Sequence, residues 1–173
     1  MSFSFGLFRF LSYGNIFVVG LLMILMLMVM LFAPAMTPIV IVLMIFAVVL
    51  YHNILCLRLQ RSIQDAAFPL GDNFPTILII TSVLSFIYSM MVFSTAIDIA
   101  RLSSAEFRKM IVTGSPDPDQ ITLEMTNAAH KTILILFSIH GLTIATNCVL
   151  SSVFLNKWKK TQQGKEKDSF LDT

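Results

Sequence analysis

The chain has 173 residues, of which 56% are hydrophobic and 13% charged, and its mean hydropathy is +0.81. A water-soluble domain carries about a quarter charged residues, and too little chain remains outside the apolar stretches to build a soluble core or a multidomain enzyme. A net charge of +2 is too small to indicate nucleic-acid binding.

The first fourteen residues place Phe3, Leu7, Phe10 and Leu11 on one helical face with Arg9 off it. That spacing predicts a short helix lying in the membrane interface; the competing reading is a frayed terminus. Four uncharged apolar stretches follow, Ile16–Ala33, Ile39–Leu57, Ile77–Ile97 and Thr132–Leu155. A helix needs roughly 20 residues to cross a hydrocarbon core about 30 Å thick, so the four predict membrane spans near residues 15–33, 38–57, 76–98 and 131–156.

The first span is too long for the apolar region of a signal peptide, and proline beside the cut disfavours cleavage at the A-x-A-like Ala33-Pro34-Ala35, so the span is expected to be retained. Two prolines within Pro34–Pro38 predict a tight hairpin into the second span.

Residues 99–130 form the one sizeable connection. Ser103-Ser-Ala-Glu106 is a capping-box pattern, and Phe107, Met110 and Ile111 repeat at helical spacing after it. Asp117-Pro118 offers a second helix start, which predicts that the fourth helix begins near Pro118 with Ile121, Met125 and Ala128 facing Phe107 and Met110. The connection is thus expected to be a small helical cap outside the membrane. The polar tail, 161–173, is expected to be disordered.

With four spans, one side of the membrane carries Arg9, Arg58, Arg61, Lys157, Lys159, Lys160, Lys165 and Lys167, and the other Arg101, Arg108, Lys109 and Lys131. This asymmetry predicts cytoplasmic N- and C-termini in a plasma or inner membrane, with Trp158 as an interfacial anchor. The fold expected is an all-α integral membrane protein, an antiparallel bundle of four transmembrane helices forming one domain over residues 1–160.

Ionisable residues inside a span are the usual markers of function. The spans hold no carboxylate, lysine or arginine, and only His52 and His140 can titrate there. A proton- or ion-coupled pump needs an intramembrane acid or a broken helix, and neither is present. Cys56 and Cys148 lie toward one end of the second and fourth spans, without a C-x-x-C pair or a disulfide framework. Met23, Met26 and Met30 share a face of the first span; without a feeding segment or a receiving cluster they read as gap-filling or lipid-facing side chains. No cofactor, metal site or catalytic residue is expected.

The spans do carry two polar stripes. Ser82, Ser85 and Ser89 follow i, i+3, i+7 spacing in the third with Tyr88 alongside, and His140, Thr143, Asn147 and Ser151 repeat in the fourth. Antiparallel depth counting pairs Ser89 with His140 and Thr143, Ser85 with Thr146 and Asn147, and Ser82 with Ser151. Such a seam is either helix–helix glue or a polar pocket centred on His140 and Asn147. Two functions follow. One is a non-enzymatic scaffold, accessory subunit or assembly factor of a membrane complex, meeting protein partners through the cap or the embedded face. The other is a small-molecule or ion pathway formed by an oligomer and lined by the seam.

Overall fold

A computed structural model describes residues 3–32, 37–65, 67–113 and 121–171. Among them the chain forms five helices and no strand: α1 (Phe3–Phe32), α2 (Thr37–Gln64), α3 (Phe74–Arg101), α4 (Ser104–Thr113) and α5 (Leu123–Leu171). The helices α1, α2, α3 and α5 are long and apolar enough to cross a membrane. The chain divides into two compact units, residues 1–87 with 143–173, and residues 88–142.

In the first unit α1 and α2 are neighbours. The N-terminal residues do not form a separate interfacial helix: α1 starts at Phe3 and continues without a break into the first apolar stretch. Its buried positions are Phe5, Phe8, Leu11, Ser12, Asn15 and Val19, a helical stripe, whereas Phe3 is 88% and Phe10 73% exposed. Of the expected face Leu11 is buried, but Phe3 and Phe10 point outward, because the buried stripe includes polar residues that an apolar count passes over.

Phe154 of α5 anchors the core of this unit. Its ring stacks on Phe8 at 5.1 Å and meets Phe5 edge-on at 5.4 Å; Leu55 and Leu59 of α2, with Phe74 and Leu78 of α3, complete the cluster. One turn on, Trp158 packs against the cluster and donates its indole N–H to the Ser62 hydroxyl across 3.1 Å. Trp158 therefore ties α5 to α2, a role beyond the interfacial anchor expected.

The connection from α2 to α3 is built on local hydrogen bonds. The Asp65 carboxylate accepts the Ala67 N–H at 2.9 Å, an Asx turn, and the Asn73 carbonyl accepts the Ile77 N–H as α3 begins. Pro75 then falls in the first turn, where its missing donor costs nothing. The hairpin expected at residues 34–38 falls largely outside the described residues.

The tail departs from its expected disorder, since α5 continues to Leu171. Residues 156–171 contain no proline and hold five Lys and two Gln, good helix formers.

In the second unit α4 starts on the expected capping box. Ser103 donates its backbone N–H to the Glu106 carboxylate at 2.8 Å, and the Ser103 hydroxyl accepts the Glu106 N–H at 3.3 Å. The same hydroxyl donates to that carboxylate at 2.7 Å, and these bonds hold the Glu106 carboxyl below its ordinary pKa.

α5 begins at Leu123 rather than near Pro118. Its cap is Thr122, whose hydroxyl accepts the Met125 N–H at 3.2 Å; Asp117 and Pro118 lie outside the described residues. The face toward α4 is also corrected. Met110 and Met125 are 56% and 58% exposed while Thr126 is buried, and Phe107 stacks on His130 at 4.6 Å. His130 hydrogen-bonds the Ile99 carbonyl at 2.8 Å, and Arg108 donates to the Ile121 carbonyl at 3.1 Å. His130, not an apolar residue, fills the contact with Phe107.

Candidate functional site

Within the first unit α1, α2, α3 and α5 send polar side chains inward. Ser12, Asn15, His52, Asn53, Gln60, Thr81, Ser82, Ser85, Asn147 and Ser151 are all buried. An amide left without partners in an apolar medium costs several kcal/mol, so buried polar groups of this kind have to satisfy one another.

One chain of hydrogen bonds runs through three helices. Gln60 donates its amide to the Ser12 hydroxyl at 3.0 Å. The Ser12 hydroxyl donates its hydrogen bond to the Asn147 side-chain oxygen at 3.2 Å or to the Phe8 carbonyl at 2.8 Å. Asn147 donates to the Asn53 oxygen at 2.8 Å, and Asn53 donates to the Val49 carbonyl at 2.7 Å. The relay leaves α2, crosses α1 and α5, and returns to α2. Such chains polarise one another, so their members reinforce each other.

A second group adjoins it through Cys56, whose sulfur also accepts from Asn147 at 3.8 Å. The Nδ1 of His52 lies 3.3 Å from the Thr81 hydroxyl, and its Nε2 lies 3.5 Å from Cys56 Sγ and 3.8 Å from Cys148 Sγ. Thr81 has one proton, which it donates to the Ile77 or Leu78 carbonyl. Its oxygen is therefore an acceptor, which assigns the proton to His52 Nδ1 and leaves Nε2 to accept from a thiol. Both cysteines are free and buried. Among the described residues no group of three or more His, Cys, Asp or Glu is arranged to hold a metal ion.

The expected seam is brought together in part. Ser82 lies 3.5 Å from Ser151, as depth counting pairs them, and donates to the Cys148 carbonyl at 3.4 Å. In the second unit the Tyr88 hydroxyl lies 3.1 Å from His140 Nε2, with the two rings edge to face. The pairing of Asn147 with Ser85 is overturned, because Asn147 turns to Ser12 and Asn53. Ser85 and Ser89 are fully buried, and their hydroxyls have no hydrogen-bond partner among the described residues. Thr143 offers its backbone carbonyl to Asn15 at 3.5 Å.

Sequence reasoning missed the α1 and α2 half of this junction. The signal was present: His52, Asn53, Cys56 and Gln60 recur at helical spacing, but closing the second span at Leu57 cut the stripe short. Ser12 falls within the stretch expected to lie in the interface and Asn15 at the edge of the first apolar run, yet both are buried.

The junction contains amides, hydroxyls, thiols and one imidazole, with no carboxylate or ammonium group. Most of these neutral donors and acceptors bond one another, while the Ser85 hydroxyl has no partner among the described residues. Comparison with protein-family models, curated proteins and solved structures finds no match.

Proposed function

We propose that this chain is a non-enzymatic integral membrane protein, a scaffold, accessory subunit or assembly factor of a larger membrane complex. In this reading α1, α2, α3 and α5 form an antiparallel four-helix bundle with both termini in the cytoplasm, in a plasma or inner membrane. The connection carrying α4 is the cap on the opposite face, and partners meet the chain there or along the embedded surface.

The observation that carries the proposal is the enclosure of the polar junction. A solute pathway needs polar side chains bordering a water-filled passage. Asn53 and Asn147 instead bond each other, Ser12 and the backbone, and Ser82 and Ser151 of the same unit are buried and hydrogen-bonded as well. Side chains engaged in this way support a stiff core whose outer apolar surface is left for lipid and protein contacts.

The test is extraction from native membranes into lipid nanodiscs, followed by mass measurement of the intact particle, alongside reconstitution of the purified chain into vesicles. The proposal expects a particle of defined stoichiometry containing other membrane proteins, and vesicles no more permeable than empty ones. A lone chain in native membranes together with rapid solute or ion flux in vesicles would overturn it.

A further inference from the structure

We infer that the face formed by Arg9, Arg58 and Arg61 is a binding site for the phosphate of an anionic phospholipid. These arginines line a cavity of about 440 Å³ whose wall also includes Tyr13, Ile54 and Gln60. The cavity belongs entirely to the first unit, with α1 on one side and α2 on the other.

The helical repeat explains why the groups converge. Arg9 and Tyr13 are one turn apart on α1, and Ile54, Leu57, Arg58, Arg61 and Gln64 recur on one face of α2. Aromatic rings in the same wall hold two of the cations: the Arg9 guanidinium lies 5.9 Å from the centre of the Tyr13 ring, and that of Arg61 lies 4.6 Å from Phe68. Stacking of this kind leaves the guanidinium edge, with its N–H donors, free to bond an anion.

No carboxylate borders the cavity. Among the described residues the arginines make no ion pair, and the nearby Asp65 carboxylate accepts the Ala67 N–H. Three cations lining one cavity repel one another, and an oxyanion relieves that repulsion while accepting bidentate bonds.

The shape identifies a lipid rather than a free ion. Ile54 and Leu57 continue the wall along α2 from the arginines into the apolar stretch, and Ile54 is 42% exposed. A phosphate seated between the arginines leaves its acyl chain to run down this apolar strip. Basic pockets between helices on the cytoplasmic side of a membrane hold anionic head groups in this way.

Native mass spectrometry of the full chain from phosphatidylcholine nanodiscs containing a minority of phosphatidylglycerol tests the assignment. The wild-type chain should retain phosphatidylglycerol over phosphatidylcholine, and Arg58→Gln with Arg61→Gln should lower that preference by about tenfold or more. Arg58→Lys with Arg61→Lys should retain part of it, and Lys159→Gln with Lys160→Gln, which removes the same charge elsewhere, should leave it unchanged. Equal loss in the Lys159/Lys160 variant, or no preference in the wild type, would overturn the site. Displacement of the lipid by millimolar inorganic phosphate would overturn the lipid assignment.

Discussion

Asn147 of α5 donates its side-chain amide to the Asn53 oxygen of α2 across 2.8 Å, with both residues fully buried. The two are separated by 94 positions in the chain, so this bond is a long-range tie made by a pair of short side chains. Each is also fixed from behind, Asn147 by the Ser12 hydroxyl and Asn53 by the Val49 carbonyl. The pair thus sets the rotation of both helices as well as their contact.

Asn147→Leu is expected to destabilise the protein by about 1–2 kcal/mol, at the upper end for a hydrogen bond between membrane helices. Asn53→Leu should cost a similar amount. The double variant should cost less than the two together, because each single change strands the other's polar atoms. Reversible unfolding in mild detergent measures the cycle, and strict additivity would show that the two amides act independently.

The four long helices are legible in the sequence because uncharged apolar runs of this length have few other structures open to them. The capping box of α4 is legible for a similar reason, since Ser103 and Glu106 satisfy each other within three residues. What composition and spacing leave open is the choice of partner across helices. Asn147 invites a hydroxyl, and serines on the next span look sufficient, yet Asn53 and Ser12 supply stronger and better-placed groups. Hidden in the same way was the start of α1, because an apolar count does not register Ser12 and Asn15, which are buried. In α1 and α2 the polar residues Ser12, Asn15, Asn53 and Gln60 mark the interior rather than its edge.

In the second unit, a Cβ built on Gly141 lies 3.3 Å from the ring carbons of Phe93, closer than ordinary van der Waals contact. Gly141→Leu should therefore force the helix surfaces apart and destabilise by about 1–3 kcal/mol. Phe93→Ala in the same chain should recover part of the loss by making room. Thermal unfolding of the single and double variants checks this, and a Gly141→Leu protein as stable as the wild type would refute the close contact.

Ser103→Ala removes the cap of α4 and should weaken that helix by about 1 kcal/mol. The Glu106 carboxyl titrates below its ordinary value through its bonds to Ser103. Its contribution is therefore complete above the unfolded pKa and fades as pH falls through the lower folded value. NMR shifts of residues 104–113 should move toward coil as the pH drops below about 4, with Ser103→Ala already displaced that way at neutral pH. Shifts that are insensitive to both would deny the capping box its role.

Membrane orientation is tested with single cysteines at two exposed positions. Thr113→Cys should react with an impermeant thiol reagent from outside the cell, and Gln163→Cys only once the cytoplasmic side is opened. Labelling of both from the same face would remove the four-span arrangement with cytoplasmic termini that the lysine and arginine asymmetry predicts.

The account rests on the polar junction being closed, and the native cysteines report on it directly. Cys56 and Cys148 are 0% and 3% exposed and sit against His52 and Asn147. The measurement is the rate at which a charged methanethiosulfonate reagent, applied to both faces of membranes holding the native chain, modifies the two thiols, with Gln163→Cys as the exposed control. A closed junction predicts no reaction at Cys56 or Cys148 until the protein is unfolded. Modification of either thiol at a rate comparable to that of the control would mean that water reaches the junction, and would contradict its reading as a structural tie.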